Sequence, residues 1–362
     1  VKGTNIFAPL IEEPHALTTP KDVNSLMSHP GLLKRHSFNR RDTPAFTLCY
    51  PRASSDRHPG HFRYTLGETM TAALYNTFVL PISRLPMRLL YVLSDFLYFL
   101  IYRVVGYRRK VVSENLARSF PEKSSAELKA IARGFYHHFC DLIVESFKSF
   151  TIRDAEIRTR FRVTNPEILR PYFEAGRSIV IAGGHYNNWE WFAVALRQQI
   201  LHRPIAIYKP LSNRYLDQKM RKTRGRFGLE MIAMKAVPAF FANAKADLKT
   251  IPYAMIFGSD QSPGDPRKAH WMKFLHQDTG VPFGAEKYAR ENDLPVFFGI
   301  IHKISRGNYE FTFHTITDRP RDQLPDSIME EITRRLETEI RKDPRYWLWS
   351  HRRWKHRRPE GR

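Results

Sequence analysis

The chain is poor in cysteine: only Cys49 and Cys140 occur in 362 residues, far apart and without metal-ligand spacing. That excludes a disulfide framework or a zinc knuckle as the basis of the fold, and it suits a reducing compartment. Several short chemical signatures are missing as well. There is no Gly-x-Ser-x-Gly elbow, no His-Glu-x-x-His pair, no Walker loop and no Gly-x-Gly-x-x-Gly turn. Negative charge is scarce, with 36 Asp+Glu against 58 Lys+Arg, for a net charge of +22. Such an excess draws a protein toward an anionic partner: nucleic acid, a phospholipid surface or an acidic carrier. No zinc finger or RNP motif accompanies it, so no specific nucleic acid is expected.

What is present is enough for a folded protein. Hydrophobic residues make up 42% and aromatics 13%, which excludes a wholly disordered chain, and the length carries one large domain or two ordinary ones. Residues 1–65 read differently from the rest: prolines at 9, 14, 20, 30, 44, 51 and 59 stand among Ser, Thr, His and Arg with no sustained apolar period and no secretory signal. They read as a disordered or extraneous extension. Residues 72–110 hold the most apolar stretch, FVLPISRLPMRLLYVLSDFLYFLIYRVVGY at 78–107, followed by the basic flank Arg108, Arg109 and Lys110. The cleanest run, 89–102, is short of the ~20 residues of a membrane-crossing helix. Flanking arginines can snorkel, so the reading is an N-terminal apolar anchor helix, either spanning the membrane or lying in its interface.

Residues 111–176 form a helical lead-in, with Ser124 or Ser125 and Glu127 marking a helix start. From 177 to 346 strands alternate with helices. RSIVIAGG (177–184), RPIAIYKP (203–210), YAMIFGSD (253–260) and PVFFGIIHKI (295–304) read as strands, and YEFTFHTIT (309–317) pairs with the last of these across Arg306-Gly307-Asn308. Amphipathic helices are expected near 187–199, 213–227, 237–248, 284–292 and 326–342. The fold class is therefore α/β, a central mixed sheet with flanking helices, and the chain ends in a basic, Trp-rich tail at 347–362.

Chemistry concentrates in GGHYNNWEWF at 183–192. Active sites of open α/β sheets gather at the carboxyl ends of strands, and His185 stands there, behind two glycines that permit a sharp turn. Glu190 follows five residues on, inside the next helix. A carboxylate reaching one imidazole nitrogen would fix the tautomer and leave the other nitrogen as a general base toward a hydroxyl. The helix N-terminus offers amides for developing negative charge. Asn187, Asn188 and Trp189 suit a helix cap and a stacking wall.

These residues resemble the bacterial lipid A biosynthesis (lauroyl/myristoyl) acyltransferases, a branch of the lysophospholipid acyltransferase superfamily marked by His-x4-Asp/Glu; the GHYxNWEW form is similar to that of Bacteroidetes. Further blocks follow in the family's order: GYRRKVVSENLARSFPEKS at 106–124, IYKPLSN at 207–213, RGRFG at 224–228, GSDQSPG at 258–264, FLHQDTGVPFG at 274–284 and WLWSHRRWKHRRPEG at 347–361. The resemblance implies an acyl group moved from acyl carrier protein to a hydroxyl of a lipid A precursor on the cytoplasmic face of the bacterial inner membrane, with no metal or dissociable cofactor. It implies His185 as base with Glu190 as its partner. Arg224 and Arg226 would serve phosphate or oxyanion binding, and Asp260-Gln261 would bind substrate, although Asp260 equally suits a cap or turn. Relatives often carry a second Asp where this chain has Ser262. The rival acceptors are a lysophospholipid, an aminolipid or a glycolipid; the rival class is a non-enzymatic membrane or nucleic-acid binding protein. The C-terminal segment from Arg345 onward, with seven Lys/Arg among three Trp, is expected at a lipid headgroup layer or on the acceptor's anionic face.

Overall fold

The computed structural model describes residues 66–244 and 251–359. The extension at 1–65 and Cys49 within it lie outside the described residues.

Nine strands occur among the described residues: β1 (Phe161–Val163), β2 (Ile179–Gly183), β3 (Arg203–Tyr208), β4 (Glu230–Ala233), β5 (Tyr253–Gly258), β6 (His270–Phe274), β7 (Gln277–Val281), β8 (Val296–Ser305) and β9 (Asn308–Thr317). Seven form one sheet in the order β1-β9-β8-β2-β5-β3-β4, and β6 and β7 form a separate hairpin. The five strands from β8 to β4 run parallel to one another, while β9 and its parallel neighbour β1 run against them. The central strands β8, β2 and β5 are buried on both faces along most of their length, which is why they read as unbroken apolar runs rather than alternating ones. In β2, Ile179 and Ile181 pack with Trp191, Val194 and Leu196 on one face. Val180 and Ala182 pack on the other with Ala285, Ala289, Ile332 and Leu336, which belong to helices Gly284–Asn292 and Ser327–Lys342.

The expected α/β class and the five expected strands are present. The lead-in is not purely helical, because β1 lies inside it and extends the sheet's edge beside β9. Helix Ser125–Ser149 opens with a reciprocal capping box: the Ser124 hydroxyl accepts from the Glu127 N–H, and the Glu127 carboxylate accepts from the Ser124 N–H at 2.8 Å. The apolar stretch forms two helical runs, 66–84 and 87–105, broken at Leu85-Pro86. Pro86 supplies the N-cap of the second, and Gly106 in the left-handed region ends it. Among the described residues no single helix is long and apolar enough to cross a membrane; a pair, Met87–Val105 and Arg109–Ser119, passes only together, bent by 91°.

Inside the domain, a fully buried carboxylate joins three elements. Glu145 accepts from Tyr91 Oη at 2.8 Å, from Tyr309 Oη at 2.8 Å and from Asn188 Nδ2 at 2.6 Å. Burial, aided by the charge of Asp141, pushes its pKa from 4.5 up to about 7, against the opposing pull of Lys303 and the tyrosine hydrogen bonds. A carboxyl whose folded pKa is raised binds more protons in the native state. Its contribution is therefore full below about 4.5 and is lost as pH rises through about 7. Glu145→Gln should accordingly show a flatter stability profile than the parent across that window in denaturant melts run at stepped pH. Parallel profiles would show that Glu145 does not titrate there.

Candidate active site

β2 and β5 are neighbours, and their last residues, Gly183 and Gly258, are partners in register. His185 lies two residues past the first and Asp260 two residues past the second, so parallel pairing delivers them side by side at the carboxyl edge of the sheet. The Ser259 N–H extends the pairing by donating to the Gly183 carbonyl at 2.8 Å. The glycines are required by close approach. A Cβ on Gly184 would lie 2.6 Å from Leu336 Cδ2 and 3.1 Å from Asp260 Oδ2, and one on Gly258 would lie 3.2 Å from His185 Cε1.

Asp260 is the partner of His185. Its Oδ1 lies 2.6 Å from His185 Nδ1, and its Oδ2 accepts the His185 backbone N–H at 2.7 Å and the Trp347 indole N–H at 2.8 Å. A carboxylate only accepts, so Nδ1 carries the proton and Nε2 holds the lone pair. Gln261 Nε2 lies 3.3 Å from His185 Nε2, an amide that can donate to that lone pair. The Asp260 side chain is 3% exposed and that of His185 23%, so the carboxylate is sealed while the imidazole opens outward. Burial alone would lower the His185 pKa, but the charge and hydrogen bond of Asp260, with the charge of Glu190, outweigh it and raise the pKa above 6.5; Arg224 opposes them. Burial would raise Asp260, but the His185 charge and the donors around the carboxylate hold it far below the usual range.

The loop bearing His185 is pinned along its length. Asn187 takes a positive φ of 56°, which asparagine tolerates better than most residues, and its Nδ2 donates to the Ile301 carbonyl at 2.7 Å. Asn188 caps helix Trp189–Ala195 by accepting the Trp191 N–H at 2.8 Å. Trp189 meets the imidazole edge-on, with centroids 5.2 Å apart.

The pairing expected between His185 and Glu190 is not what the structure holds. Both Glu190 oxygens lie on Arg224 Nη2, at 2.9 and 2.8 Å, because the carboxylate rides on a helix facing helix Arg214–Arg226. Arg224 lines the cavity with Glu190. Arg226 does not: its Nη2 donates to the carbonyls of Ser149 and Ile152 at 3.1 Å each, closing the end of helix Ser125–Ser149. The tail, expected at a lipid headgroup layer or on the acceptor's anionic face, packs its first two indoles into the domain. Trp347 and Trp349 are 2% and 0% exposed, Arg353 is buried, and Arg358 pairs with Asp278 at 2.8 Å. Ser262, where relatives often carry Asp, binds this tail: its hydroxyl donates to the Arg353 carbonyl at 2.7 Å and its N–H to His351 Nε2 at 3.3 Å. Sequence reasoning missed Trp347 and His351. The signal for Asp260 was legible, since both paired strands end in glycine with a polar group two residues on.

A cavity of about 530 Å³ opens beside the imidazole, within the range of roughly 300–1,000 Å³ usual for small-molecule sites. Phe192, Met220, Met231, Phe257, Tyr288 and Phe311 supply apolar wall, and His185, Glu190, Arg224, Gln261 and His351 supply polar groups. An apolar recess that also holds an imidazole and a guanidinium fits an aliphatic substrate carrying a polar head.

Comparison with known proteins places these features in context. The family model described as bacterial lipid A biosynthesis acyltransferase matches residues 60–356. A curated relative, a lipid A biosynthesis acyltransferase of Haemophilus influenzae, is 25% identical over 260 residues, covering 71% of this chain and 80% of that protein.

The geometry ranks the two acids. Asp260→Asn should lower the His185 pKa more than Glu190→Gln does, because only the first removes a charge in direct contact. Imidazole chemical shifts followed by NMR against pH check this; a larger drop in the Glu190 variant would reverse the assignment.

Proposed function

The chain belongs to the bacterial lipid A biosynthesis acyltransferase family, and on that premise we propose that it moves a fatty acyl group from acyl carrier protein to a hydroxyl of a lipid A precursor. The observation that carries the mechanism is the Asp260–His185 pair, with Nδ1 spent on the carboxylate and Nε2 left as the base. Nε2 takes the acceptor hydroxyl's proton as its oxygen attacks the thioester carbonyl. The tetrahedral centre then collapses, the carbon–sulfur bond breaks, and the imidazolium returns its proton to the departing thiolate. Asp260 holds the ring and favours the imidazolium formed in between. Arg224, kept in place by Glu190, supplies positive charge at the cavity wall for the thioester oxyanion or for an acceptor phosphate. The apolar wall takes the acyl chain.

No metal or dissociable cofactor enters this scheme. Acyl carrier protein and the anionic lipid are its partners, drawn by the +22 net charge. The reaction would sit at the cytoplasmic face of the inner membrane, where such a lipid is reachable by a soluble carrier.

Purified protein given acyl carrier protein loaded with a labelled fatty acid should acylate a lipid A precursor, with the product located by mass spectrometry. His185→Ala should lower the rate by roughly 10²–10⁴-fold, and because it takes a donor from the buried Asp260 carboxylate it should also lower the melting temperature while circular dichroism shows the fold retained. Asp260→Asn should lower it strongly, Glu190→Gln less. The neutral imidazole is the active form and its pKa is raised above 6.5, so the acid limb of the rate profile should lie above that pH and move down in Asp260→Asn. Transfer that survives His185→Ala would remove this mechanism.

A further inference from the structure

His351 lines the cavity with His185, and the acyl-transfer scheme gives it no task. Three consecutive residues after β5 hold both imidazoles. Asp260 takes His185 Nδ1 at 2.6 Å, Gln261 lies 3.3 Å from His185 Nε2, and the Ser262 N–H donates to His351 Nε2 at 3.3 Å. An imidazole nitrogen that accepts a backbone N–H carries no proton, so in the neutral ring of His351 the proton sits on Nδ1. Among the described residues nothing accepts from that Nδ1–H, in a ring that is 8% exposed and lines the cavity. The segment around it is fastened at several points. Trp347 donates to Asp260 at 2.8 Å, the Ser262 hydroxyl to the Arg353 carbonyl at 2.7 Å, and Asn115 Nδ2 to the carbonyls of Trp349 and His351 at 2.9 and 3.0 Å. Burial, against the pull of Asp260 and with the charges of His185, Arg353 and Lys355, lowers the His351 pKa to about 4. At neutral pH the ring is therefore uncharged and keeps its single proton.

We propose that His351 is a second catalytic residue of the transfer, its Nδ1–H the donor that receives the thioester oxygen as that oxygen becomes an anion. The proposal rests on the acyl-transfer reading of the same cavity. The acceptor oxygen bonds to the carbonyl carbon and gives its proton to His185 Nε2, while the carbonyl π pair moves onto the oxygen that faces His351. When that pair returns, the carbon–sulfur bond breaks and the proton on His185 passes to the sulfur. His351 donates a hydrogen bond throughout and transfers no proton. A fixed neutral donor suits this task, because its hydrogen bond strengthens toward an anion without protonating it. Arg224 suits it less, since both Glu190 oxygens already lie on its Nη2, at 2.9 and 2.8 Å. With the oxyanion on His351, Arg224 is left for the acceptor phosphate.

Steady-state transfer from fatty acyl-acyl carrier protein to a lipid A precursor tests the role with two variants. His351→Leu keeps bulk and loses both nitrogens; kcat should fall by roughly 10²–10³-fold with KM nearly unchanged. His351→Gln carries an amide that accepts from Ser262 and donates to the cavity, and should recover about tenfold or more of that loss. The His185 titration, followed by imidazole NMR, should stay raised above 6.5 in both variants. A kcat in His351→Leu within about threefold of the parent shows no donor role and overturns the proposal. So does a fall in the His185 pKa as large as in Asp260→Asn, which would make His351 a prop for the 260–262 loop. The tautomer is read in the parent itself: long-range proton–nitrogen correlation NMR should find the His351 proton on Nδ1, and a proton on Nε2 overturns the proposal whatever the variants do. Methyl dodecylphosphonate, a tetrahedral anion on an alkyl chain, needs neither carrier nor lipid. It should bind the parent about tenfold more tightly than His351→Leu, as a hydrogen bond to a charged group is worth; equal binding overturns the role of His351. A parent that binds it so yet transfers no acyl group counts against the proposed reaction alone.

Discussion

Everything at the site depends on one buried anion. Asp260 gathers two donors from His185 and a third from Trp347. An isolated carboxylate so deeply buried would carry a desolvation penalty of several kcal/mol. Hydrogen bonds to a charged group return about 1.5–3 kcal/mol each, so three of them, one from the imidazole Nδ1–H, make the anion tolerable. Buried Arg353 adds positive charge nearby; its own pKa falls to about 10 through burial, against the pull of Asp260. The carboxylate thereby ties β2, β5 and the C-terminal segment together at one point, and the same bonds that stabilise it set the tautomer of the His185 imidazole.

That arrangement explains what was legible in the sequence. The central strands were readable because burial on both faces leaves continuous apolar runs, and His185 was readable because it follows such a run and two glycines. The partner was misassigned by proximity along the chain. Glu190 is five residues away but rides on a helix that turns it toward Arg224, whereas Asp260 is 75 residues away and arrives through strand register. Arg224 and Arg226 look equivalent in sequence, yet two residues along a helix face nearly opposite ways, so one lines the cavity and the other caps carbonyls. Strand β1, three residues long, lies below what periodicity can detect.

The tail shows the limit of composition. Trp among Arg and Lys describes a membrane interface and a buried strut equally well, because both reward an aromatic body with a single polar handle. Here the handles are spent inside: Trp347 on Asp260, Trp349 on the Pro344 carbonyl and Trp354 on Thr279. Only the register of the donors, invisible in the sequence, separates the two meanings.

Glu145 does for the wider domain what Asp260 does for the site. Its carboxylate receives Tyr91 from helix Met87–Tyr98, Tyr309 from β9 and Asn188 from the loop that carries His185. Asn188 in turn holds the first turn of the helix bearing Glu190. Tyr91, Glu145 and Asn188 thus link helix Met87–Tyr98 to the loop that carries His185. A shift of helix Met87–Tyr98 that withdrew Tyr91 would leave Glu145, and with it the Asn188 cap of helix Trp189–Ala195, short of a partner. The placing of the His185 loop is therefore coupled through Glu145 to the packing of the helix that bears Tyr91, although the two lie almost a hundred residues apart in the chain.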